Sequence, residues 1–192
     1  LSFNDLPIPF ICMATNVING KADILDKGEF TKALRATMAI PVLFNPIKIN
    51  NTLYADGGLV CNFPADQCRA MGADYIIGVS MSPGLEDDPD KLTSLLPQIK
   101  QLKEIITDKD IDNYHKKCDI FISPDLKGVG MLSFDAESVA KVMESGFEAA
   151  AAHGPEFTAL MEQIQGGENP QGESVNVTKK AVNILHSKVL IS

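Results

Sequence analysis

An α/β fold is predicted from three features of this 192-residue chain. Apolar runs of strand length recur at residues 9–15, 75–81 and 118–123, and stretches with helical apolar spacing separate them. Glycine, proline or asparagine punctuates the junctions. The near-continuous apolarity of the runs suits strands buried on both faces, so the sheet is expected to have parallel character. Three such strands are few for a sheet of that kind, and the usual remedy is a partner or a further segment.

The elements follow in chain order. Residues 9–15 form the first buried strand, and residues 22–25 a short second one closed by Lys27-Gly28. Residues 29–38 read as a helix, with Phe30, Ala33, Leu34 and Thr37 at helical spacing and Pro41 beyond its end. Residues 44–55 form a hairpin, because Ile47, Ile49, Leu53 and Ala55 alternate around Asn50-Asn51, and asparagine tolerates the positive φ of a tight turn. A sharp break at Asp56-Gly57-Gly58 precedes a short helix over residues 64–71, opened by Pro64 and closed by Gly72. Residues 75–81 are a second buried strand, and residues 82–90 an acidic loop. Residues 91–106 are an amphipathic helix with Leu92, Leu95, Leu96, Ile99, Leu102 and Ile106 on one stripe. Residues 118–123 are a third strand, and Asp135 opens a long helical stretch to Ile164 that breaks near Gly154-Pro155. Residues 166–192 separate from the rest as a linker rich in Gly, Gln, Asn and Pro, followed by an alternating stretch over residues 179–191.

Composition narrows the function classes. Lys and Arg total 17 against 25 Asp and Glu, and only Arg35 and Arg69 are arginines, so a basic nucleic-acid face is not expected. No apolar run reaches the roughly 18 residues of a membrane span. Cys12, Cys61, Cys68 and Cys118 follow no zinc-ligand spacing and read as free, mostly buried thiols, although one disulfide is compatible with an oxidising compartment. The chain begins at Leu1 without a basic-then-apolar leader, as in a mature chain or a fragment, so no compartment is assigned.

The segment T-L-Y-A-D-G-G-L-V-C-N-F-P, residues 52–64, is the most informative. A carboxylate ends a strand and two glycines leave space beside it, so Asp56 could take a proton from a nucleophile. Taken alone, the tripeptide favours the plainer reading of an aspartate that caps a turn. Other constellations favour plain readings. Asp108, Asp110 and Asp112 begin like a calcium loop, but Asn113 and Asp119 stand where glycine and glutamate are needed, which leaves a solvated turn. The acidic run at residues 86–90 reads as an exposed loop, and His115, His153 and His186 as isolated histidines.

The surroundings of Asp56 carry a resemblance. A-L-R-A-T-M-A-I-P-V-L-F-N-P (residues 33–46), then Y-A-D-G-G-L-V-C-N-F-P, then G-A-D-Y-I-I-G-V-S (residues 72–80) resemble, in order and distance, the C-terminal half of the patatin-like phospholipase domain. A-T-N at residues 14–16 resembles that family's A-T-D segment, and P-D-L at residues 124–126, with Phe134 beyond, its late strand-to-helix segment. The resemblance spans about residues 6–165. It implies a three-layer α/β/α sandwich and hydrolysis of fatty acyl esters by a Ser-Asp dyad, with Asp56 as the dyad aspartate and no metal or organic cofactor. Gly57, Gly58, Asn62, Pro64, Arg35 and Thr37 are the supporting motif positions, Thr37 standing where the family has serine.

The departures weigh as much. The chain contains no G-x-S-x-G elbow and no glycine-rich oxyanion loop, both of which lie upstream in the family. Gly78-Val79-Ser80-Met81-Ser82 lacks the final glycine and aligns with a strand end. The chain is therefore expected to be about half of a catalytic domain, inactive alone, its N-terminal strands absent and its sheet edge open to self-association or to the missing segment. The expected partner is a lipid or acyl-ester substrate, with a membrane surface met through the parent protein. The alternatives are a degenerate module that binds lipid or protein, and an acyltransferase on the same dyad. The tail is compatible with the first strand of a following domain, as in bacterial patatins of the cell envelope, or with a disordered chain end.

Overall fold

The computed structural model describes residues 2–82, 84–107, 111–129 and 133–165. They fall into two compact units divided between Asn62 and Phe63. The linker and the alternating stretch at residues 166–192 lie outside the described residues, as do Asp108 and Asp110 of the calcium-like turn and His186.

The first unit is built on a four-stranded sheet. β1 (Cys12–Asn16), β2 (Lys21–Leu25), β3 (Ile47–Ile49) and β4 (Thr52–Asp56) lie in the order β2-β1-β4-β3. Every pairing is antiparallel. The parallel character expected from β1 is thus absent here. All five β1 residues are buried as expected, but continuous burial reports that both faces are covered and says nothing of strand direction. The β3–β4 hairpin turns at Asn50 and Asn51, both at positive φ, as their residue type forecasts.

Helix α1 (Phe30–Thr37) matches the expected span within one residue at each end. Phe30 joins Phe3 and Phe10 in an aromatic trio, with ring centroids 5.3 to 6.2 Å apart. Phe3 packs with Cys12, Ala33 and Leu25 in the core of this unit. After α1 the chain turns at residues 40–43. Pro41 and Val42 hold the central positions, Leu43 N–H donates to Ile40 O at 3.2 Å, and Val42 lies at φ +74°. A turn with positive φ at its third residue favours glycine or asparagine, so a β-branched residue there is strained.

The second unit holds α2 (Ala65–Ala70), β5 (Ile77–Val79), α3 (Leu95–Thr107), α4 (Ile111–Lys117), β6 (Ile120–Ile122), α5 (Ala136–Ala152) and α6 (Gly154–Gln165). β5 and β6 pair in parallel, with Gly78 opposite Phe121. A Cβ on Gly78 would strike the Phe63 ring and the Cys118 Sγ, so glycine is required for this close approach. β6 is buried throughout and packs with Leu160 and Phe157 of α6 and Ala149 and Ala150 of α5. β5 is shorter than the expected strand, and its Ile77 and Val79 are exposed. Asp135 caps α5 by accepting from Ser138 N–H at 2.9 Å, and the helix breaks before Gly154 as expected. α4 was not foreseen, because its polar residues read as a turn.

The amphipathic helix α3 is where expected but starts later, after a short helical turn at Pro89–Leu92. Its expected stripe is not uniformly covered: Leu95, Leu102 and Ile106 are exposed, Ile99 is half-buried, and Glu104 is buried. Among the described residues, no helix is long and apolar enough to cross a membrane. No disulfide joins the four cysteines; Cys12 is buried, Cys61 and Cys118 are partly buried and Cys68 is exposed, so the thiols are less buried than expected.

Candidate functional site

Asp56 is the last residue of β4, opposite Ala14 of β1, and only 8% of it is exposed. Its backbone is held on both sides. The N–H donates to Ala39 O at 2.9 Å, and the carbonyl accepts from Thr15 Oγ1 at 2.7 Å. Its carboxylate Oδ1 accepts from Gly58 N–H at 2.7 Å. That contact is the turn cap the tripeptide allows. It uses one oxygen only. Among the described residues Oδ2 takes no hydrogen bond, and it retains solvent access. A carboxylate anchored by one oxygen and open at the other can orient a hydroxyl donor and accept its proton.

The two glycines make this possible by close packing. A Cβ on Gly57 would strike the carbonyl oxygen of Met13. Thr37 Oγ1 donates to the same carbonyl at 2.6 Å and fixes it. A Cβ on Gly58 would lie 2.6 Å from Asn62 Oδ1 and 2.9 Å from Asp56 Oδ1. Gly57, Gly58, Asn62 and Thr37 therefore gather around Asp56 as structural supports. Arg35 does different work. Its Nη2 donates to Asn45 O at 3.3 Å, its guanidinium lies 5.0 Å from the centre of the Phe44 ring, and its Nη1 is buried without a partner. Pro64 opens α2 in the second unit, as its fixed φ suits.

Two supports are not visible in the sequence. Thr15 and Ala39 act through single hydrogen bonds to the Asp56 backbone, which no spacing reveals. Asn16, in the A-T-N segment, is given no role by the sequence. Its Nδ2 donates to Asp23 Oδ2 at 3.1 Å, and Tyr54 OH donates to the same oxygen at 2.9 Å. The strand register puts Asn16, Asp23, Tyr54 and Asp56 on one face of the sheet, with Ala14 between the two carboxylates. Burial first, then the Asp23 carboxylate, raises the Tyr54 phenol above its ordinary value. Period-two alternation in β1, β2 and β4 was the available signal.

The second unit holds the remaining candidates. Ser80 is buried at the end of β5, and its N–H donates to Ile122 O at 2.9 Å, which suits a strand end. Ser82 Oγ donates to Glu104 Oε2 at 3.0 Å. In the acidic loop Lys91 bonds both carboxylate oxygens of Glu86 and thereby lowers the Glu86 carboxyl pKa. The His115 ring lies 3.8 Å from the Phe121 ring, and His153 Nδ1 lies 3.3 Å from Glu156.

Comparison with known proteins agrees with the first unit. Residues 1–69 match the model of the patatin-like phospholipase family, a shorter stretch than the motif resemblance covers. An uncharacterised NTE-family protein of Mycobacterium bovis is 34% identical over 89 residues, 46% of this chain and 24% of that protein. Lysophospholipase NTE1 of Meyerozyma guilliermondii is 34% identical over 84 residues, 44% of this chain and 6% of that protein. The Candida albicans enzyme of that name is 33% identical, again over 84 residues. The chain thus spans a quarter or less of the curated relatives it matches. With a patatin-like phospholipase match over residues 1–69 and relatives in the NTE family, the chain carries a stretch of lipid-hydrolase type within a mixed α/β fold.

Proposed function

We propose that this chain supplies the aspartate half of a Ser-Asp dyad in a lipid acyl hydrolase. One observation carries the reading: Asp56 is pinned at a strand end with Oδ1 on Gly58 N–H and Oδ2 open. In the proposed step a serine hydroxyl on the upstream part of the domain attacks the ester carbonyl carbon. Its proton passes to Asp56, and the bond to the alcohol breaks as that proton is handed to the leaving oxygen. Water then attacks the acyl-serine, again giving its proton to Asp56, and the fatty acid leaves as the serine recovers its hydrogen. The relatives named as lysophospholipases support a phospholipid or lysophospholipid ester as substrate.

The chain itself has no G-x-S-x-G, so the proposal makes it inactive alone. In the completed domain the sheet belongs to a three-layer α/β/α sandwich. β2 and β3 are edge strands among the described residues, where a further strand or a second copy can add. The test has two parts. A fluorophosphonate probe should leave the intact mass of the chain unchanged. In the longer polypeptide that restores the elbow, Asp56→Asn should cut ester turnover by about a thousandfold or more while leaving the fold intact. Retained turnover in that variant removes Asp56 from the mechanism, and an adduct on the chain alone moves attention to Ser80 or Ser82.

A further inference from the structure

We propose that Thr15 is a positioning residue for the Asp56 carboxylate. Its hydroxyl, acting through the Asp56 carbonyl, decides which carboxylate oxygen is capped and which stays open to the reacting proton. The inference deepens the Ser-Asp reading, and its kinetic part rests on that reading. Thr15 is 7% exposed and follows Ala14, the β1 residue opposite Asp56. Its Oγ1 donates to Asp56 O at 2.7 Å, a buried bond between residues 41 positions apart. Asp56 is itself 8% exposed, and a carbonyl left unpaired at that depth is costly. Thr15 is β-branched, so its donor has few directions to choose from.

The carbonyl that Thr15 holds belongs to the peptide on which the cap depends. Asp56 O shares one rigid plane with the Gly57 nitrogen. β4 ends at that plane, with Asp56 at φ −45° and ψ 128°, and the turn over Gly57–Leu59 begins. One peptide further on, Gly58 N–H meets Asp56 Oδ1 at 2.7 Å. Rotation of the first plane about ψ carries the Gly58 N–H away from that oxygen, and the cap is lost. Thr15 Oγ1 opposes the rotation because it holds the carbonyl of that plane.

The place of Asp56 in the sheet gives this bond its weight. Pairing between β3 and β4 runs from Thr52 to Tyr54, so Asp56 lies past it and pairs with β1. The Asp56 N–H donates to Ala39 O at 2.9 Å, which holds the peptide before the side chain. The Thr15 bond holds the peptide after it. With both peptides fixed, the carboxylate keeps Oδ1 on Gly58 and presents Oδ2. Proton transfer needs its partners within a narrow range of distance and angle. A residue that fixes the direction of Oδ2 therefore acts on that transfer without touching substrate.

Two measurements test the proposal. In the 192-residue chain, hydrogen exchange at the Gly58 amide reports the cap. Exchange at the Val17 amide, bonded to Leu53 O at 2.9 Å, reports the β1–β4 ladder. Thr15→Val keeps the shape and removes the donor, so it should speed Gly58 exchange about tenfold and leave Val17 unchanged. Thr15→Ser restores a donor and should return Gly58 to the wild-type rate. In the longer polypeptide that carries the elbow, Thr15→Val should lower kcat about tenfold or more with KM unchanged, and Thr15→Ser should restore it. Leu25→Ala, in the core around Phe3, should lower stability without either change. Thr15→Ala is read in the same way where the valine variant does not fold. Gly58 and Val17 speeding up together, a serine variant as impaired as the valine one, or a matching fall of kcat in Leu25→Ala overturns the proposal and leaves Thr15 a merely structural residue. Asp56→Asn separates the two readings. Turnover that survives it removes the dyad, and Gly58 exchange alone then decides whether Thr15 orients the carboxylate. Turnover lost in Asp56→Asn but kept in Thr15→Val leaves the dyad standing and removes the positioning.

Discussion

The two units use the same kinds of residue in opposite ways. In the first, polar side chains converge on strand ends. Thr15 donates to the Asp56 carbonyl, Thr37 to the Met13 carbonyl, and Asn16 and Tyr54 to the Asp23 carboxylate, at 2.6 to 3.1 Å. In the second, helix α3 buries a carboxylate and leaves several of its apolar residues exposed. Glu104 is 5% exposed, whereas Leu95 is 67% exposed. Three links stitch the helix to the preceding loop. Ser82 Oγ donates to Glu104 Oε2, Gln101 and Glu86 exchange two bonds of 3.0 Å, and Gln98 Nε2 donates to Leu92 O at 2.8 Å. Periodicity reveals that a helix has two faces. Which residues are covered depends on what the rest of the chain offers, and here a loop rich in donors and acceptors met several of the polar ones.

The largest expected effect probes the first unit. Gly57→Ala drives a Cβ into the Met13 carbonyl and should cost about 3 kcal/mol in urea unfolding. A loss below about 1 kcal/mol would mean the strand end can shift, and the rigid support drawn for Asp56 would go with it.

Next comes the buried carboxylate of α3. Glu104→Ala removes a buried acceptor and should cost about 2 kcal/mol, while Leu102→Gln on the opposite side should cost under about 0.5 kcal/mol. The reverse order in thermal melts would put the apolar stripe inside. Thr37→Val, which removes the bond to Met13 O, should cost about 1 kcal/mol by the same measurement.

The smallest effect is a pH dependence. The Tyr54 phenol is raised above its ordinary value of 10.0 in the folded state, first by burial and then by Asp23. A raised value means the folded protein holds the proton longer than the unfolded chain. The stabilisation is therefore complete below the ordinary value and fades as pH rises through the folded one. Tyr54→Phe should flatten the fall in stability above about pH 10. An unchanged alkaline limb would detach Tyr54 from the network.

Legibility in the sequence followed the range of the interactions. Local signals were reliable. Asn50-Asn51 marked the hairpin, Gly72 the end of α2 with φ +92°, Asp135 the cap of α5, and Gly154 the break after it. Each rests on backbone preferences within a few residues. The short helix α4 is not legible because Asp112, Asn113, His115, Lys116 and Lys117 leave it little apolar periodicity, and propensity alone is a weak guide there. At the site, Asp56 and its glycines stood out because a carboxylate between a strand and two glycines is an unusual local pattern. Thr15, Ala39 and Asp23 did not, since each meets Asp56 or its neighbours through contacts between residues far apart in the chain.

By itself, then, the sequence determined most of the helices and strands, the hairpin turn, and that a carboxylate ends β4 beside two glycines. Those features depend on dihedral preference and on apolar spacing, which are properties of neighbours. The tertiary structure alone decided that β1 runs antiparallel to both its partners, that α3 hides Glu104 and displays Leu95, and that only one oxygen of Asp56 is engaged. Strand direction, buried face and hydrogen-bond occupancy are settled by contacts between residues far apart in the chain, and no local preference encodes them.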